Sequence, residues 1–273
     1  QRYTFINKFI GHIQIKTYFY PQKQLITHSR MKKILSIICL CLIGILNGKA
    51  NEQTENARTL IQKSLDIQYT NPKQAAYYAK QAINLIKEDR KNDLKAEAML
   101  ALSNAQKLLG EFDLGIQTLY ESLDYITPSN KKLQGEIYGM MSILYCRLSD
   151  YKQAIALNDK ATAIFKSIGD TSQIANCYNS RGIIHTYLDE FNIAESFFQQ
   201  ALSINRSLKD LKRIASNLNN LCLYKGNSKE KLEFIKEAIA INKNLNSIWS
   251  LAENYNNMGK QYYYAQDYFS ALN

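Results

Sequence analysis

The chain has 273 residues, 46% hydrophobic and 21% charged, with a formal net charge of +10. That composition fits a globular chain and excludes collagen-like, disordered and disulfide-dense classes. Eight of the 34 basic residues and none of the 24 acidic ones lie in residues 1–50; the remainder is nearly neutral, which excludes phosphate-driven nucleic-acid binding by that region.

In chain order, the first feature is Met31-Lys32-Lys33, followed by the apolar run Ile34 to Leu46 and then Asn47-Gly48-Lys49-Ala50. A charged start, a short apolar core and small residues before a cleavage point are the three parts of a secretory signal peptide. Residues 31–50 are therefore read as a leader, and residues 1–30 as an upstream, non-native extension, because a leader works only at an N-terminus. The mature chain is expected to be exported, periplasmic or membrane-associated facing the periplasm. The alternative is a short anchor that stays uncleaved, although a bilayer span takes about 20 residues. Cys39 and Cys41 lie inside the apolar run, which argues against a lipid-modified cysteine.

From residue 51 onward small residues recur at a nearly fixed interval: Ala75, Gly115, Ala154, Ala194 and Ala271, with Lys231 as the large exception. A period of that length signals stacked helical hairpins. Apolar residues three, four and seven apart, as in Tyr151 to Ala161 and Phe191 to Leu202, give one-sided helices. Small residues on the first (A) helix of each hairpin are expected to face small residues on the second (B) helix. The seam is thus Gly115, Ser142 with Ala154, Gly182 with Ala194, and Gly259 with Ala271; Ser103 faces Gly115. Large rings such as Tyr178, Phe198 and Tyr255 fill the surroundings. Between Leu221 and Ala238 the spacing is three residues shorter than in sister units. The turn Lys225-Gly226-Asn227-Ser228 must be abbreviated there, and less regular packing and a local change of twist are expected in this fifth unit. The last unit stops at Asn273 before its partner residues, which reads as an unfinished array with further sequence beyond.

Tyr178-x2-Arg181-Gly182-x2-His185 followed by Ala194-x3-Phe198, and Tyr255-x2-Met258-Gly259-x2-Tyr262 followed by Ala271, resemble the tetratricopeptide repeat. The resemblance covers residues 51–273 as about five and a half units of the roughly forty-residue type. It implies an all-α fold, a right-handed α-α superhelix of antiparallel helix pairs. It also implies a protein or peptide partner in the concave groove, and a similarity to exported regions of bacterial signalling regulators. The function expected is a binding scaffold or sensor, with a substrate-selecting region of a larger enzyme or a free periplasmic adaptor as alternatives. Membrane attachment would come through a C-terminal segment. The ungapped match of Ile164–Asn179 to Ile204–Asn219 and Ile241–Asn256 places the additional residues at helix ends between one B helix and the next A helix.

For the groove, the candidates are Asn179, Asn219, Asn220, Asn256 and Asn257, which recur in three successive A helices. An amide both donates and accepts, so such a column can hold a peptide backbone or bond to neighbouring repeats. Lys260 could add an isolated charge. Trp249, the lone tryptophan, is either a partner anchor or a cover for a following segment. The Lys and Arg set of the family's carboxylate clamp is missing from these positions. His185 is read as a packed aromatic, and Cys146, Cys177 and Cys222 as buried free thiols. No phosphate loop, nucleophile turn or metal-ligand spacing is present, so neither enzyme activity nor a cofactor or metal is expected.

Overall fold

The computed structural model describes residues 51–86, 92–222 and 228–272. The leader and the upstream extension lie outside the described residues. The chain divides into two compact units, residues 1–55 and 56–273. Of the first, residues 51–55 are described and are helical.

The second unit is a series of helices, with no strand among the described residues. Helix α1 covers residues 56–67. It is followed by α2 (Pro72–Leu85), α3 (Asp93–Leu109), α4 (Phe112–Ser122), α5 (Lys131–Arg147), α6 (Tyr151–Ser167), α7 (Thr171–Tyr187) and α8 (Phe191–Ser207). Then come α9 (Leu211–Leu221), α10 (Ser228–Asn244), α11 (Ile248–Tyr264) and α12 (Tyr268–Leu272). Odd-numbered helices are the A members of successive hairpins and even-numbered ones the B members. From α2 to α12 each helix packs against the next, so hairpins stack in line. The A helices α3 and α5, and α5 and α7, also touch directly. The A helices therefore line the inner, concave side of an α-α superhelix. No described helix is long and apolar enough to cross a membrane.

The forty-residue period has a local cause. Helices α5 to α8 each contain 17 residues and are joined by three-residue links such as Leu148-Ser149-Asp150, and Leu208-Lys209-Asp210 links α8 to α9 in the same way. In the first link the Ser149 N–H donates to the Cys146 carbonyl at 3.1 Å and the Asp150 N–H to the Tyr145 carbonyl at 2.9 Å. These bonds satisfy two carbonyls that the helix end would leave open. Asp150 Oδ1 then accepts the Gln153 N–H at 3.1 Å, capping the next helix. One residue thus closes α5 and opens α6, and Asp170 and Asp210 repeat the arrangement.

The middle residue of each link must turn left-handed, with φ of 62° at Ser149, 58° at Asp189 and 56° at Lys209. A side chain in that conformation costs roughly 1–2 kcal/mol, which glycine avoids, at some loss of chain entropy. Lys209→Gly is accordingly expected to stabilise the array by about 0.5–1 kcal/mol, read as a higher urea midpoint.

At the hairpin crossings, Ser103 Oγ donates to the Gly115 carbonyl at 3.1 Å and Ser142 Oγ to the Ala154 carbonyl at 2.7 Å. The shortened fifth unit follows the same rule: Cys222 Sγ donates to the Lys231 carbonyl at 3.2 Å, and Lys231 is buried. Residues 225–227 of the turn Lys225-Gly226-Asn227-Ser228 lie outside the described residues. At Gly182 the neighbour is a ring. A Cβ placed there would lie 2.6 Å from Phe198, which is fully buried, so absence of a side chain on α7 is what admits the ring from α8.

Candidate functional site

On the concave side a groove of about 430 Å³ opens across α3, α5 and α7. Its origin is a pair of glycines one turn apart on α5. Gly135 is occupied from behind, since a Cβ there would meet the Phe165 ring at 2.7 Å, whereas Gly139 has nothing within 4 Å. Gly139 therefore leaves a trough in the inner wall. Leu100 and Asn104 of α3 border it on one side, and Gln173, Asn176, Asn179 and Ser180 of α7 on the other. Met140 and Ile143 add apolar surface, and Asn158 of α6 reaches in between α5 and α7. The two glycines make opposite predictions. Gly135→Ala should destabilise by about 1–3 kcal/mol through collision with Phe165, and Gly139→Ala should stabilise by about 0.5–1 kcal/mol through helix propensity. Thermal unfolding of the two variants checks both signs.

Of the sequence-selected asparagines, Asn179 lines the groove. Its Oδ1 accepts from Asn217 Nδ2 and Asn220 Nδ2, both at 2.8 Å, and Asn217 Oδ1 accepts from Asn205 Nδ2 at 2.7 Å. One repeat later the set recurs: Asn219 Oδ1 accepts from Asn254 at 2.8 Å and Asn257 at 2.9 Å, and Asn254 Oδ1 accepts from Asn242 at 2.7 Å. These two four-residue clusters tie successive A helices together. Asn219 and Asn257 are buried in them, while Asn256 and Lys260 are exposed. Trp249 is 90% exposed at the start of α11, next to exposed Ile248, and is not among the residues that line the groove. The structure thus joins Asn179 with Asn220 and Asn219 with Asn257 and leaves Trp249 on a separate surface.

Sequence reading missed Glu136, Gly139, Asn158 and Gln173. The Gly135–Gly139 pair was a visible signal, since two glycines one turn apart in a helix interior call for a packing or ligand reason. Asn205 and Asn242 were also visible as equivalent positions on successive B helices.

His185 stacks on Phe197 with ring centroids 5.5 Å apart, and its Nδ1 pairs with Glu190 Oε2 at 2.5 Å. Arg181 is ion-paired with Asp159. Cys146, Cys177 and Cys222 are free and buried. Burial raises all three thiols, Cys222 to about 12, which keeps them from the thiolate state that alkylation requires. Among the described residues no group of His, Cys, Asp and Glu is arranged to hold a metal ion.

An inner row of helices, an open trough and repeating inter-repeat bonds define a helical-repeat scaffold. Residues 133–207 match the tetratricopeptide repeat family. No curated protein sequence matches it. Among solved structures it is similar to BtubC from P. vanneervenii, at 20% identity over 82% of this chain and 87% of that one, TM-score 0.58. A signal transduction ATPase with a tetratricopeptide repeat sensor from Pyrococcus horikoshii matches at 18% identity over 80% of this chain and 33% of that one, TM-score 0.65. A Rap protein complexed with competence and sporulation factor matches at 15% identity over 80% and 63%, TM-score 0.59. The chain spans only a third of the Pyrococcus protein.

Proposed function

We propose that the chain is a protein-interaction scaffold whose concave groove holds an extended segment of a partner protein or a peptide. The observation that carries this is the trough at Gly139, open to its Cβ position and bordered by side-chain amides of α3, α6 and α7. Amides supply both donors and acceptors to an extended backbone whatever its side chains. Three helices packed about 8–10 Å apart span roughly 20 Å, the length of about six extended residues. The Rap structure supports the reading, since that protein of the same fold is in complex with a factor.

The scaffold serves as the sensing part of an exported signalling regulator. Support for this comes from the leader at residues 31–50 and from the sensor role named for the Pyrococcus repeats. A membrane attachment beyond residue 273 belongs to the same proposal. Fusing residues 31–60 to alkaline phosphatase is expected to give activity that requires Lys32 and Lys33; an inactive fusion rejects export.

The groove assignment is tested with a photo-crosslinking amino acid at Met140 in the full chain. Gly139→Trp is expected to abolish crosslinking to a partner, and Trp249→Ala to leave it intact. The reverse result moves the binding surface to the start of α11.

A further inference from the structure

The groove has charges of both signs beside it: Lys107 Nζ donates to Asn104 Oδ1 of the α3 border at 3.2 Å, whereas the side at Glu136 is acidic. Glu136 of α5 lines it, and Glu97 holds the same register position one repeat earlier on α3. The elements around Glu136 bring Glu97 from α3, Asp170 and Gln173 from the start of α7, and Lys132 from its own helix. Among the described residues only Gln173 bonds to it, from Nε2 to Oε1 at 3.4 Å. Lys132 is exposed and forms no ion pair with it among the described residues. Burial, and then the charges of Asp170 and Glu97, push the Glu136 carboxyl up against the pull of Lys132. Glu97 is also pushed up, by partial burial and by Asp93, against the pull of Arg58. Both carboxylates are therefore short of positive charge.

A second observation is independent of charge. Asn158 is only 2% exposed, lines the same groove and donates its amide N–H to the Cys177 carbonyl at 3.1 Å. Its Oδ1 takes no donor from the described residues. A nearly buried acceptor on the wall of an open groove is a place for a donor from outside.

We propose that the segment held in the groove carries a lysine or arginine whose head lies against Glu136 and Glu97, with Asn158 Oδ1 as a further acceptor. Ammonium and guanidinium groups bring several N–H donors and no acceptor, which suits the Glu136 carboxylate and the Asn158 amide oxygen of the wall, with the exposed Glu97 carboxylate beside it. The partner is thus a basic peptide segment, the opposite polarity to a carboxylate clamp. This rests on the groove reading given above.

The test uses the full chain and three pools of labelled short random peptides, fixed at the central position as Lys, Gln or Glu, titrated by fluorescence anisotropy. The Lys pool is expected to bind about tenfold tighter than the Gln pool, with the Glu pool weakest. Glu136→Gln should bring the Lys and Gln pools within about threefold of each other and raise the thermal midpoint. The sign follows because the folded carboxyl titrates above its unfolded value: its ionised form opposes folding, and stability is lost as pH rises through that window. A neutral Gln removes the loss, so weaker Lys binding in this variant is not unfolding. Equal binding of all three pools, still abolished by Gly139→Trp, overturns the charge proposal and leaves the groove reading standing. Absence of saturable binding by every pool, or binding insensitive to Gly139→Trp, overturns both.

Discussion

Truncating Phe198 to alanine is expected to lower the unfolding free energy by about 3–5 kcal/mol, the range for removing a fully buried ring. Phe198 is 0% exposed and belongs to the core that joins the fourth and fifth units. The ring also occupies the space that a side chain at residue 182 would fill, with three ring atoms 2.6 to 2.8 Å from that Cβ position. Gly182→Ala alone should therefore cost about 1–3 kcal/mol, because a ring clamped between helices cannot step aside. With Phe198 already truncated, the same alanine meets no ring and gains helix propensity worth up to about 1 kcal/mol. The double variant should be at least as stable as Phe198→Ala, and so less destabilised than the sum of the two single changes. Urea titration gives the energies, and hydrogen exchange localises them, since losses in a stacked array fall first on α7, α8 and their immediate neighbours. Simple additivity would show that Gly182 is not selected by this ring.

The seam shows how far a sequence pattern reaches. Spacing alone set Ser142 opposite Ala154, and the hydroxyl of one bonds the carbonyl of the other. It also set Gly182 opposite Ala194, yet the atoms nearest to Gly182 come from Phe198, one turn further along α8. Periodicity fixes which residues share a face, whereas which ring leans into which notch depends on rotamers that no spacing encodes. The groove was hidden for a related reason. It exists because Phe165 takes up one glycine of α5 and nothing takes up the other, a difference made by an element 30 residues away in the chain. The link geometry was half visible: the match of helix ends pointed to longer helices joined by short links, but left-handed Ser149, Asp189 and Lys209 carry no glycine to announce them.

Asn219→Ala is expected to destabilise by about 2–5 kcal/mol, more than any other change within the asparagine clusters. Its Oδ1 is the shared acceptor for Asn254 and Asn257, which are 1% and 3% exposed. Removing it strands two donors away from water, each costing about 1–3 kcal/mol. Asn220→Ala is the control. It removes one of two donors to Asn179 Oδ1, which Asn217 continues to satisfy, so about 1 kcal/mol or less should be lost. The clusters stand where the earlier repeats are apolar. Phe165 occupies the register position of Asn205 and Asn242, and it does so above Gly135, where its ring fills the space a Cβ would need. The later A helices carry Ala175 and Ala215 at that position, so a phenylalanine would collide and a shorter side chain is required. A short polar residue buried between repeats must find its own partners, and pairing asparagine with asparagine from one helix to the next meets that condition. Equal loss on Asn219→Ala and Asn220→Ala, measured by urea titration, would show that the clusters are surface amides with water as an adequate substitute.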